Sequence, residues 1–171
     1  MRAWSLAFLA AAVIALGGGA EAAPAPRVSI ASFALLATPL AYPYDEHARA
    51  DAVVAAAKAR AKARRKLLLV DLGGNWCGDC RVLSATMELP EVKAFVAAHY
   101  EVALVDVGHF DKNLQVPARY GITTRLEGVP SLLIVDPRTN RLIDKGHIAA
   151  LADARHMTPQ ALADWLAQWT R

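Results

Sequence analysis

The stretch Leu67-Leu68-Leu69-Val70-Asp71-Leu72-Gly73-Gly74-Asn75-Trp76-Cys77-Gly78-Asp79-Cys80 decides the fold. It starts as an apolar run, passes two glycines and ends on the only two cysteines of the chain, three positions apart. A helix-compatible segment, Arg81 to Met87, follows. The order is strand, loop, Cys-x-x-Cys, helix. That places Cys77 at a helix N-terminus, where unpaired N–H groups and the helix dipole favour a thiolate. Cys80 lies one turn on. A dithiol so arranged can attack a disulfide and then resolve the mixed disulfide internally. Asp71 interrupts an otherwise apolar strand, and burial there raises a carboxyl pKa toward the range in which thiol exchange needs a base.

Outward from this stretch the elements alternate. Upstream, Asp45 to Lys66 has helical composition, with Asp45 as N-cap, acids near its start and Lys58, Arg60, Lys62, Arg64, Arg65 and Lys66 at its end, which complements the helix dipole. Arg27 to Ala37 alternates weakly and could hold a short strand, and Tyr42-Pro43-Tyr44 reads as an extended approach. Downstream, the helix after Cys77 runs to about Glu88, and Pro90 opens a second helix to about His99. Glu101 to Val107 is a strand, Asp111 to Tyr120 a helix or helical turn, and Ser131 to Val135 a strand. Asp136 to Asn140 turns the chain into a paired return strand, Arg141 to Lys145. Thr158-Pro159 opens a last helix with Leu162, Trp165, Leu166 and Trp169 at helical spacing. The predicted class is α/β: a mixed central sheet with helices on both faces and an extra N-terminal helix.

The 171 residues suffice for one domain with a sizeable core, and 55% apolar with 20% charged residues excludes a disordered chain. A net charge of +3 without aromatic-basic interleaving argues against a nucleic-acid surface. Met1-Arg2, the apolar run from Trp4 to Leu16, three glycines and Ala20-Glu21-Ala22 have the form of a cleaved export leader. Residues 1–22 are therefore expected to be a signal peptide cut after Ala22, residues 23–44 an extended segment that begins flexibly, and residues 45–171 the folded domain. Outside the cytoplasm a disulfide persists. A loop as small as this one gains little stability from closure, so the spacing favours reactivity over stapling.

These residues resemble the thioredoxin superfamily over about Lys66 to Trp169. Val70-Asp71 with Trp76-Cys77-x-x-Cys80, then Tyr120-Gly121-Ile122 and Gly128-Val129-Pro130-Ser131, carry the resemblance. It implies a thioredoxin fold and thiol–disulfide exchange with proteins, with no bound cofactor. Cys77 would be the nucleophile, Cys80 the resolving thiol, and Asp71 the buried acid that moves protons to and from Cys80. Trp76 would shield the reactive sulfur. Pro130 would be a cis-proline that sets Val129 to pair with substrate and keeps metals off. The expected setting is exported, periplasmic in a bacterium, with disulfide-bearing protein substrates, a separate redox partner such as a membrane reductant, and a monomeric state.

The departures from the family pattern carry information. Gly78 and Asp79 lie between the cysteines, where the family usually has proline at the second position. A carboxylate at Asp79 disfavours the thiolate and pushes the pair toward reducing power, with Arg81 offsetting part of the effect. Gly73-Gly74 suggests a mobile loop, Thr123 to Glu127 a substrate-facing bulge, and His147 to His156 a longer lead into the last helix. The rival reading is a non-catalytic thioredoxin-like binding module whose cysteines hold a local disulfide or a metal. Zinc normally needs four ligands, and the five histidines, including His109, lack ligand spacing. Haem attachment fails because Arg81, not histidine, follows Cys80.

Overall fold

A computed structural model describes residues 21–170. The expected leader, apart from Glu21 and Ala22, lies outside the described residues. Three strands form one sheet in the order β2-β1-β3: β1 (Leu67–Gly73), β2 (Tyr100–Asp106) and β3 (Ser131–Val135). β1 pairs in parallel with β2, Asp71 opposite Leu104, and antiparallel with β3, Asp71 opposite Leu132. The central place of β1 follows from its sequence, since both its faces are apolar.

The alternation of β1 divides the core. Leu68, Val70 and Leu72 pack with α1 (Ala50–Arg64), whose buried face of Ala50, Val54, Ala57 and Ala61 is small enough to lie close on the sheet. Leu69 faces the other side, against Leu83 and Met87 of α2 (Gly78–Met87), Val92 and Val96 of α3 (Pro90–His99), and Leu162, Ala163 and Leu166 of α5 (Pro159–Ala167). Helices thus cover both faces of a mixed sheet. Thr158 caps α5 by accepting from the Ala161 N–H at 3.1 Å, and Pro90 stands at the first turn of α3.

Several expected elements are shorter or different. α1 begins at Ala50, not at Asp45. The Asp45 carboxylate instead accepts the His47 N–H at 2.9 Å in a local turn, and Arg49 precedes the helix without a side-chain cap. At the other end, Arg60 and Arg64 pair with the buried Glu101 of β2 at 2.9 and 2.8 Å, so part of the basic cluster is tied to the sheet. The helix expected from Asp111 to Tyr120 shrinks to α4 (Gln115–Ala118), because Phe110 and Asn113 adopt left-handed conformations that break a helix. The return strand from Arg141 to Lys145 is reduced to a single bridge, Val135 to Leu142. There the Asp144 side chain takes the Ile134 N–H at 2.9 Å, where a ladder would supply a carbonyl.

The N-terminal segment is also not as expected. Residues Phe33–Leu35 form a 3-10 turn and no strand, with Ser32 capping it. Ala23 to Pro26 is no free lead. The Ala23 N–H donates to Thr170 Oγ1 at 2.9 Å, and Gln160 on α5 binds both the Val28 N–H and the Pro26 carbonyl. The segment is a strap across the α5 side, with Val28 and Phe33 packed on that core. It then delivers Tyr44 to the C-terminal end of β1.

Candidate active site

The end of β1 and the start of α2 create the site. Cys77 is the N-cap residue of α2, and its sulfur accepts the Cys80 N–H at 3.1 Å. The two cysteines form a disulfide with Cα atoms 5.3 Å apart. Cys77 is 4% exposed and Cys80 is fully buried, so only the first sulfur touches the surface. Attack from outside must fall on Cys77, while Cys80 can act only from within.

Beneath the pair lies Asp71, with no exposed surface. Burial pushes its carboxyl up to about 7, an effect partly opposed by one hydrogen bond, from the Tyr44 hydroxyl to Oδ1 at 2.9 Å. Oδ2 has no partner among the described residues. Tyr44 is itself buried, and burial, then the charge of Asp71, holds its hydroxyl far above the usual phenol range. The sequence reads Tyr44 only as part of an extended approach. Its pairing with Asp71 spans 27 residues, and no local pattern encodes it.

The two glycines do not make a loose loop. A Cβ on Gly73 would lie 2.3 Å from Tyr44 Oη and 2.9 Å from Cys80 Sγ, and one on Gly74 would lie 2.7 Å from Trp76 Nε1. Both positions are glycine because side chains close in on the backbone there. Trp76 is about half exposed; its indole N–H donates to the Gly108 carbonyl at 2.8 Å and its ring stacks on His109 at 4.7 Å between centroids. His109 therefore serves as a stacking partner of the tryptophan.

Val129 and Pro130 come to the disulfide from the loop before β3. Both are buried, the bond between them is cis, and the Val129 carbonyl oxygen lies 3.4 Å from Cys77 Sγ. Asp79 is buried too, but its partner is not Arg81. Arg155 donates to Asp79 Oδ1 through its backbone N–H at 2.8 Å and its Nε at 3.1 Å, and its guanidinium lies over Gly78. Arg81 turns away, donates to the carbonyls of Leu40 and Ala41, and covers the Tyr42 ring. Thr123, Thr124 and Arg125 line a groove of about 520 Å³ with Phe110, Leu114 and Ile122, and Phe110 meets Trp76 edge-on. Among the described residues, no three His, Cys, Asp or Glu side chains come together in a way that could hold a metal.

A protein-family model described as thioredoxin-like matches residues 49–137. The chain is similar to a solved structure described as a disulphide isomerase from Xylella fastidiosa Temecula1, at 36% identity over 77% of this chain and 99% of that one, with a TM-score of 0.70. A protein of unknown function from Pseudomonas aeruginosa matches at 19% identity over 81% and 96% of the two chains, with a TM-score of 0.40. No curated protein matches the sequence.

Proposed function

Because the chain belongs to the thioredoxin-like family, we propose that it is an exported thiol–disulfide oxidoreductase that reduces disulfides in other proteins. One observation carries the reading: a disulfide at a helix N-terminus with one sulfur at the surface, the other buried, and a carboxyl of raised pKa beneath them. The similarity to a protein described as a disulphide isomerase supports exchange chemistry in general.

In the reduced protein the Cys77 thiolate, favoured by the N-terminal N–H groups of α2, attacks a substrate sulfur. A mixed disulfide forms and one substrate thiolate leaves. Cys80 then loses its proton, attacks Cys77 Sγ and releases the second substrate thiol. Asp71 takes the proton in this direction and returns it in the other. The Val129 backbone pairs with the substrate chain, Pro130 holds that backbone in place, and Trp76 covers the reactive sulfur. Gly78 leaves room for the Arg155 guanidinium over the turn, and Asp79 tunes the pair. The electrons travel in the dithiol itself, so no cofactor is required.

The reducing direction rests on charge. Two buried carboxyls, Asp71 and Asp79, lie near the sulfurs, and one half-exposed guanidinium answers them. A disfavoured thiolate destabilises the reduced pair and lowers its potential. The leader-like residues 1–22 would send the chain to the periplasm or another oxidising compartment, where a separate donor, such as a membrane reductant, would regenerate the dithiol of a monomeric protein.

The test is a redox equilibrium of the mature protein against glutathione, followed by alkylation of Cys77 and Cys80. A potential near or below about −270 mV is expected. A value near about −120 mV would make the protein an oxidant. A pair that never exchanges would leave a binding module. N-terminal sequencing of exported protein, expected to start at Ala23, tests the leader.

A further inference from the structure

Tyr44 belongs to the approach segment, outside residues 49–137 that match the family. Its position is nonetheless built with care. The Tyr44 N–H donates to Asn75 Oδ1 at 3.0 Å, and Asn75 Nδ2 donates back to the Tyr44 carbonyl at 2.8 Å. The active-site loop therefore grips the Tyr44 backbone on both sides. The ring is buried, and among the described residues the hydroxyl has one polar partner, Asp71 Oδ1 at 2.9 Å.

The hydroxyl also borders the resolving sulfur. Tyr44 Oη and Cys80 Sγ both edge the methyl-sized space above Gly73, 2.3 and 2.9 Å from where a Cβ would stand. Asp71 lies two residues back on the same face of β1, roughly 6.6 Å along the strand. The tyrosine hydroxyl, bonded to the Asp71 carboxyl and edging the same space as Cys80 Sγ, lies between the two. A neutral hydroxyl can accept one proton while it donates another.

We propose that Tyr44 relays the proton between Cys80 and Asp71. The inference rests on the oxidoreductase reading and deepens it. During resolution the Cys80 thiol passes its proton to Tyr44 Oη as Tyr44 passes its own to Asp71 Oδ1. The electron pair left on Cys80 Sγ forms the bond to Cys77 Sγ. The bond from Cys77 to the substrate sulfur breaks, and its pair leaves on the substrate thiolate. Reduction of the Cys77–Cys80 disulfide runs the relay backwards and gives Cys80 its proton. Tyr44→Phe removes the hydroxyl and keeps the ring, so packing is retained.

The experiment uses the reduced full-length mature protein and a symmetric aromatic disulfide, Ellman's reagent, whose released thiolate is coloured. The first equivalent reports attack by Cys77, and the second reports resolution by Cys80. At pH 7, Tyr44→Phe is expected to leave the first phase within twofold and to slow the second by on the order of ten- to a hundredfold. The deficit should shrink above pH 9, where hydroxide deprotonates Cys80 without a relay. Asp71→Asn should slow the same phase, and the double variant should be no slower than the slower single one. A second phase in Tyr44→Phe with the wild-type rate and pH profile would overturn the relay, as would two deficits that multiply. Failure of the wild type to release either equivalent would instead overturn the oxidoreductase reading and the relay together.

Discussion

Asp79 and Arg155, 76 residues apart, are joined by two hydrogen bonds to one carboxylate oxygen, at 2.8 Å from the backbone N–H and 3.1 Å from Nε. The pair fastens the lead into α5 to the first turn of α2. Its carboxylate is inward and its cation outward, with side chains 11% and 58% exposed. The two substitutions should therefore move the redox potential in opposite directions. Asp79→Asn removes a negative charge from the turn between the two cysteines, favours the thiolate and should raise the potential. Arg155→Gln leaves the carboxylate without its cation and should lower it. Shifts on the order of 10 mV each are expected, since solvent screens the exposed partner. Equilibration with glutathione measures both. Shifts of the same sign would show that the pair acts through structure and not through charge.

The unequal exposure of the two sulfurs assigns separate fates to two serine variants. Cys77→Ser should lose more than 99% of exchange activity, about a hundredfold or greater, because Cys80 has no exposed surface to meet a substrate. Cys80→Ser should still be attacked at Cys77 and should accumulate mixed disulfides, seen as adducts on non-reducing gels. Adducts on Cys77→Ser with none on Cys80→Ser would exchange the two roles.

The elements legible in the sequence are those that local chemistry decides. β1 is a continuous apolar run, α2 starts at its N-cap cysteine, Pro90 marks the first turn of α3, and Thr158 caps α5. α4 is cut short by the left-handed Phe110 and Asn113, and two other misread ends turn on side chains that replace backbone partners. Asp45 spends its carboxylate on a neighbouring N–H, and Asp144 fills a ladder position from outside the strand. The dithiol could be picked out by spacing, Asp71 as the one acid in an apolar strand, and the Val129-Pro130 loop through the family resemblance. Tyr44 and Arg155 could not, because each reaches the site from a distant segment and neither position carries a periodic or capping signal.

Gly73 offers a test of how closely the site is packed. Gly73→Ala puts a methyl group 2.3 Å from Tyr44 Oη and 2.9 Å from Cys80 Sγ, both closer than atoms approach without bonding. Gly73 is held in register with Asp106 of β2, and its carbonyl accepts the Val107 N–H at 2.8 Å, which limits how far its backbone can retreat. The tyrosine must yield, and its bond to Asp71 is lost with it. A destabilisation of about 1–3 kcal/mol is expected from overpacking, measured by urea unfolding of the oxidised protein. The double variant Gly73→Ala with Tyr44→Phe, which lacks the crowded oxygen, should recover part of the loss. The ring Cζ, 2.6 Å from the added methyl group, stays in that variant, so no recovery would place the strain at Cζ or Cys80 and not at the hydroxyl.

Burial of Asp71 fixes the sign of a pH effect on stability. Its folded pKa, raised to about 7, stands above the unfolded carboxyl value of 3.8. Below pH 4 both states hold the proton and burial carries no ionic penalty. Between about pH 4 and pH 7 the unfolded chain ionises while the folded chain keeps its proton, so stability falls as pH rises. Above about pH 7 the loss is complete and amounts to about 4 kcal/mol at most. Asp71→Asn cannot ionise, and its amide can still accept the Tyr44 hydroxyl. It should therefore match the wild type within about 1 kcal/mol at pH 4 and exceed it by about 2–4 kcal/mol at pH 8. Asp144 supplies an internal comparison. Burial, partly offset by the bond from the Ile134 N–H, raises its carboxyl to about 6. Asp144→Asn should gain its advantage by about pH 6 and add nothing between pH 6 and pH 8, where Asp71→Asn continues to gain. Urea midpoints of the oxidised proteins at pH 4, 6 and 8 separate the two. An Asp71→Asn advantage equal at all three values would mean that the fold does not raise the pKa of this carboxyl, and would remove the raised basicity on which its role as proton acceptor for Cys80 rests.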